Sequence, residues 1–233
     1  MTKRDRVFGL AESGRVTSEA GDVYTPAAFF LHFPPSCHVG EPAVRKHIEY
    51  FRATDNDLLK IQYEKNYPRL PGLMRPSDWA QIPCYDREFY QEPLEVVSAL
   101  VREMKRETVV IVTLYSAFMF AGQLAGEERL VAHLEEDPAA VEIGLEIITE
   151  SMLEFIQACL EAGVDGFYAS TQGRESGRLS TPAIFDRYVR PLEMRVWEEI
   201  DAKAALNILH VCDYVQSYDS LDPFADYPGE IVS

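Results

Sequence analysis

The sequence predicts an α/β chain whose parallel strands lie side by side under a layer of helices, an incomplete barrel of about six of eight strand–helix units. Three observations predict it. Short apolar runs alternate with longer amphipathic stretches along all 233 residues. No glycine-rich phosphate loop follows the first apolar run, where "FLHFPPSCH" stands instead, so the dinucleotide-binding sheet loses its main support. The run "LLKIQYE" (58–64) sets Leu59, Ile61 and Tyr63 against Lys60, Gln62 and Glu64. A Lys and a Glu alternating within a buried strand fit the polar mouth of a barrel, where one strand face fills the interior and the other packs on helices.

The elements follow in order. "AAFFLHF" (27–33), closed by "PP", reads as a first strand buried on both faces. "EPAVRKHIEYFRAT" (41–54) is helical, with acid near its start. "LLKIQYE" is the second strand, and 65–92 reads as a long loop rich in Pro, Tyr and charge. "PLEVVSALVREMKRE" (93–107) opens with a Pro suited to a first helical turn and gathers cations at its far end. "TVVIVTLY" (108–115) is the third strand. "SAFMFAGQLAGEERLVAHLEED" is a helical excursion broken at glycine.

From Pro138 to Ala162 the apolar stripe is continuous, through Val141, Leu145, Ile148, Met152, Phe155 and Cys159, and Gly163 supplies its stop. "GFYAST" (166–171) is a fourth strand. Residues 180–201 form a helix capped by Ser180 or Thr181 and interrupted at Pro191. "LNILHVC" (206–212) is a fifth strand, "DSLDPFADYP" a short helix or turn, and "EIVS" the start of a sixth. Residues 1–26 read as a lead-in and 27–233 as a partial (β/α)8 TIM-barrel domain. A complete barrel takes about 250 residues. A chain that reaches only its sixth strand at this length reads as cut at its C-terminal side, short of roughly the last quarter of the barrel.

A formal net charge of −16 argues against nucleic-acid and anionic-membrane partners, because phosphate recognition needs clustered Lys and Arg. No apolar run is long enough to span a bilayer, and the start has no signal-peptide centre. The cysteines Cys37, Cys84, Cys159 and Cys212 are too scattered for a disulfide framework. These features predict a cytoplasmic, reduced protein.

Reactive groups of a parallel barrel lie at the carboxyl ends of its strands. The polar residues there are His32 and Cys37, then Gln62 and Glu64, then Thr113, Tyr115 and Ser116, then Tyr168 and Ser170, and last His210, Cys212 and Asp213. Taken singly, His32 fits a hydrogen-bonded core histidine, and Tyr115 and Tyr168 fit packing with satisfied hydroxyls. His210 and Cys212 say more as a pair. Strand period two puts Ile208, His210 and Cys212 on one face, with Asn207, Leu209 and Val211 on the other. An imidazole nitrogen and a thiolate so placed suit one Zn²⁺, with Cys37 or Glu64 a conceivable third ligand. The alternative is a histidine bonded to a carboxylate beside a small buried thiol.

Several stretches together, "AFFLHFP", "RATDNDLLKIQYE", "ACLEAGVDGFYASTQG" and "LNILHVCDYVQSYDSLDPFADYPGEIVS", resemble the uroporphyrinogen decarboxylase superfamily. The resemblance implies a (β/α)8 barrel and one of two chemistries. Decarboxylases remove carboxyl groups without a cofactor, and their arginine-bearing segment after the first strand has no counterpart in "HFPPSCH". The aspartate at their second strand's end has no clear match, since Gln62 or Glu64 falls there; the serine of their fourth strand matches Ser170. Cobalamin-dependent methyltransferases use zinc held by a His-x-Cys strand, matched at His210 and Cys212, and by a later Cys; their following glycine is replaced by Asp213. The favoured expectation is zinc-assisted methyl transfer from a corrinoid, carried by a corrinoid protein, to a thiol acceptor. Its metal ligands are His210 and Cys212, its catalytic groups Glu64, Tyr168 and Ser170, and its substrate-binding groups His32, Gln62 and Tyr115. The alternatives are a cofactor-free decarboxylase of uroporphyrinogen or a related acid, protonating through Tyr115, Tyr168 or His210, and a non-catalytic tetrapyrrole- or partner-binding module.

Overall fold

Runs rich in Val, Ile and Leu form the strands β1 (Leu58–Ile61), β2 (Val109–Leu114), β3 (Gly166–Thr171), β4 (Ile208–Val211) and β5 (Ile231–Val232), as β-branched side chains favour. The computed structural model describes residues 1–13, 23–213 and 216–233; residues 14–22 of the lead-in and 214–215 of the last family-like stretch lie outside them. The five strands form one parallel sheet in chain order. A doubly wound sheet reverses its order at a switch point. This one does not, and its two faces differ.

The outer face packs on helices. Leu59, Ile61, Val110, Val112, Leu114, Phe167 and Leu209 share one buried core with residues of α2 (Gly40–Thr54), α3 (Gln91–Met104), α4 (Ala117–Ala125), α5 (Glu127–Glu136) and α6 (Pro138–Ala162). Gly126, at φ +88°, separates α4 from α5, a conformation that favours glycine. The α6 stripe from Val141 to Cys159 is buried along its length, and Gly163 ends the helix at φ +91°. One turn of helix, α7 (Pro182–Ile184), capped by Thr181, leads through a wide turn over Phe185–Val189 into α8 (Arg190–Lys203). The widening falls just before Pro191, which cannot donate to the preceding turn.

The inner face has a floor. Leu58, Val109, Ile111, Leu206, Ile208 and Tyr168 form a second buried cluster with Val7. Val7 comes from α1 (Lys3–Ser13), a helix within the predicted lead-in that sequence patterning does not reveal. Lys3 caps the carbonyls of Asp55 and Asn56, and Arg4 makes a two-pronged contact with buried Asp165 at 2.5 and 2.7 Å. Helix α1 thus closes the amino end of the sheet.

One predicted strand is not a strand. Residues 27–33 lie beside β1 without strand pairing, tied to its start by one backbone bond from the Asp57 amide to the Ala27 carbonyl. Side chains take the ladder's place: the Phe29 amide donates to Asn56 Oδ1 and Asn56 Nδ2 donates to the Phe29 carbonyl, each at 3.0 Å. The Ala27 amide donates to Asp57 Oδ2. Phe29, Phe30 and Leu31 are 60%, 36% and 44% exposed, so the run is not buried on both faces. Its apolar character has no second neighbouring strand to pack against. Among the described residues no helix is long and apolar enough to cross a membrane.

Candidate active site

The alternation within each strand decides what stands above the floor. Lys60 and Gln62 follow Leu58 up the inner side of β1, Thr113 and Tyr115 follow Ile111, Ser170 and Gln172 follow Tyr168, and His210 and Cys212 follow Ile208. All these side chains line one cavity of about 770 Å³ at the carboxyl ends of the strands. Its rim comes from Phe30 to His32, from Asn66 and Arg69 of the long loop, from α4, and from Arg178.

His210 and Cys212 face this cavity together. The imidazole stacks on the Tyr168 ring, centroids 5.0 Å apart and planes 28° from parallel. Its Nδ1 lies 3.3 Å from the Ser233 hydroxyl, which also bonds the Tyr168 hydroxyl at 2.9 Å. Burial lowers the His210 pKa, which favours the neutral ring that a metal ligand needs. Cys212 Sγ accepts from Gln172 Nε2 at 3.2 Å, and the Cys212 amide donates to the Thr171 carbonyl.

Of the other expected site residues, His32, Gln62, Tyr115 and Ser170 line the same cavity. Gln62 Nε2 donates to the Tyr115 hydroxyl at 3.3 Å and lies 3.4 Å from His32 Nδ1. Burial pushes Tyr115 up to about 12 and raises Tyr168 as well, so both phenols stay protonated at neutral pH. Glu64 stands apart. It lines a neighbouring cleft with His38 and Glu92, and both its oxygens lie 3.2 Å from His32 Nδ1. Cys37 lies in a short turn (Pro35–Cys37) away from the cavity. Ser116 caps α4 by accepting from the Met119 amide. Among the described residues no group of three or more His, Cys, Asp or Glu is placed to hold a metal ion. Neither Cys37 nor Glu64 joins His210 and Cys212 as a third donor.

Sequence reasoning left out Lys60, Arg69 and Arg178, the cations of the cavity wall. Lys60 was legible from its alternation with Leu59 and Ile61. The two arginines were not, because the long loop and the segment after β3 carry no periodicity that points them inward.

The profile of the uroporphyrinogen decarboxylase (URO-D) family matches residues 59–233, a span that holds the whole sheet but Leu58 and the whole cavity wall but Phe30 to His32. The chain belongs to that family. Among solved structures it is similar to a methyltransferase from Methanosarcina mazei, with a TM-score of 0.66 and 14% sequence identity. The match covers 85% of this chain and 64% of that one, so the URO-D chain described here spans under two thirds of the methyltransferase's length. At that identity the likeness is one of fold. No curated protein sequence matches the chain.

Proposed function

We propose that this URO-D family chain is the barrel of a methyl-transfer enzyme, moving a methyl group from a corrinoid to a thiol acceptor, with zinc held in part by His210 and Cys212. The carrying observation is the placement of imidazole 210 and thiol 212 side by side on the inner face of β4, both facing the cavity. When bound, zinc supplies a Lewis acid that lowers a thiol's pKa toward neutrality.

The chain's own residues prepare the ligands. If His210 Nδ1–H donates to Ser233 Oγ, Nε2 keeps its lone pair free, and the Tyr168 ring fixes the imidazole plane. Gln172 orients the Cys212 sulfur. Ser170, the register partner of His210 on the neighbouring strand, and Tyr168 position the substrate above the floor. Glu64 acts at one remove, by orienting His32 at the rim. A corrinoid-carrying protein is the partner this reading requires, and the cytoplasm its compartment.

Zinc titration against a chromophoric chelator tests the reading. Wild-type protein is expected to bind one equivalent, and Cys212→Ala to bind at least about tenfold more weakly. Equal affinities, or no binding by wild type, would refute it.

One observation favours a second reading. Tyr115 and Tyr168 are protonated phenols in a cavity that also holds the Lys60 ammonium. Such a set can bind a carboxylate and return a proton to the carbon that loses CO₂. Metal-free protein that consumes uroporphyrinogen with release of CO₂ would establish a carboxy-lyase in place of the methyl transfer.

A further inference from the structure

The chain is acidic overall, with 38 Asp and Glu against 22 Lys and Arg, yet its cavity wall carries Lys60, Arg69 and Arg178. The three cations differ in what they already hold. Arg178 Nη2 is met by Glu127 Oε2 at 3.2 Å. Arg69 is exposed at the rim, its guanidinium against Gly126. Lys60 is half-buried and has no ion-pair partner among the described residues. Its Nζ lies 4.3 Å from the centroid of the Phe30 ring and 4.3 Å from that of Tyr168. Those two rings meet edge to face at 5.2 Å. Among the described residues Lys60 has no carboxylate oxygen within ion-pair distance and no hydrogen-bond acceptor; Glu64, past the end of β1, turns its oxygens to His32.

We propose that Lys60 is a binding residue of this cavity, seating a carboxylate of the substrate on an ammonium that the rings of Phe30 and Tyr168 hold in place. An ammonium has three donors and no acceptor. Ring faces attract its charge but take none of its hydrogen bonds in the way an oxygen does. Lys60 is half-buried on the cavity side of β1, so its ammonium sits at the cavity wall. Burial lowers its pKa to about 8, which leaves it mainly charged at neutral pH. A half-buried cation whose donors face a cavity gains from an arriving anion, and a carboxylate on Lys60 would lie beside the Tyr168 ring on which His210 stacks. Lys60 would thus orient the substrate relative to His210 and Cys212. The proposal rests on the cavity being the substrate site, as the methyl-transfer reading has it, and does not depend on the metal.

The test uses protein stripped of metal with a chelator, so that it reads Lys60 and not zinc. Phenylacetate and its neutral amide, phenylacetamide, are titrated by NMR into wild type, Lys60→Met and Lys60→Gln, with folding checked by circular dichroism. Wild type is expected to prefer the acid by about tenfold or more, the range of a charge-assisted hydrogen bond. Both variants are expected to bind the two probes within about twofold of each other. Failure of wild type to bind the acid, or to prefer it, overturns the proposal. So does a preference that survives in either folded variant, which would seat the anion on Arg69 or Arg178 instead. The zinc titration of Cys212→Ala is unaffected by any of these results, so the two readings fail separately.

Discussion

The imidazole of His210 stacks on the ring of Tyr168 at 5.0 Å, and the hydroxyl of Ser233 touches both side chains. Tyr168 is thus held by its ring and by its hydroxyl, and the two contributions separate by mutation. Tyr168→Phe keeps the ring against His210 and Lys60 and loses one hydrogen bond, an expected cost of about 1 kcal/mol in urea denaturation. Tyr168→Leu also loses the stacking and the cation–π contact and should cost about 1–2 kcal/mol more. Equal losses in the two variants would show that the ring contacts contribute nothing.

Asp165 joins α1 to the sheet. Its carboxylate accepts both prongs of Arg4 and the Val110 amide at 2.9 Å, with Lys105 Nζ at 3.5 Å. Asp165→Ala leaves a guanidinium and a buried amide without their acceptor and is expected to cost about 3–5 kcal/mol. Arg4→Met should cost less, about 1–3 kcal/mol, because Lys105 remains near the carboxylate. Denaturant midpoints decide it, and an Asp165→Ala protein as stable as wild type contradicts the role given to α1.

Glu193 carries a pH dependence. It is fully buried behind β3, where Thr171 and Tyr227 hydroxyls donate to its carboxylate. Burial raises its pKa from 4.5 to about 7, against the lowering effect of those donors. Between those values the folded state keeps a proton that the unfolded chain has released, so stability falls as pH rises through that window and levels off above it. The expected total is about 3 kcal/mol. Glu193→Gln should flatten this slope; a slope unchanged in the variant assigns it to other groups.

Two glycines should respond differently to alanine. At Gly166 an added Cβ would lie 1.7 Å from the Leu206 carbonyl oxygen, a backbone atom with nowhere to go. Gly166→Ala is therefore expected to cost more than about 3 kcal/mol and to part β3 from β4 at their start. Gly177, at φ +74°, has no atom within 4 Å of the same position. Gly177→Ala should cost only the left-handed backbone penalty, about 1–2 kcal/mol. Thermal melts of the two proteins test the contrast, and equal melting points would contradict it.

Where the sequence was legible, a repeating pattern carried the information. The stripe from Val141 to Cys159 marks a helix because only a 3.6-residue repeat gathers those side chains on one face. The alternations in β1 and β4 likewise sent Lys60 and Gln62, and His210 and Cys212, to the inner face. The barrel-like order of the strands followed from strand–helix alternation without a phosphate loop. Residues 27–33 misled because an apolar run reports the wish for burial and not the presence of a partner strand. Glu64 continues the inward alternation beyond the end of β1, yet it lines the neighbouring cleft, because the ladder that enforces alternation has stopped.

By itself, then, the amino-acid order settled which side chains share a face, since that depends only on the pitch of the backbone over a few residues. Only tertiary structure decided which faces meet: α1 beneath the floor through Arg4 and Asp165, Ser233 against Tyr168 and His210, and the Lys60 ammonium between Phe30 and Tyr168. These contacts join residues from 23 to 161 positions apart in the chain, and such pairings are chosen by packing and charge in the folded state, where no local repeat can announce them.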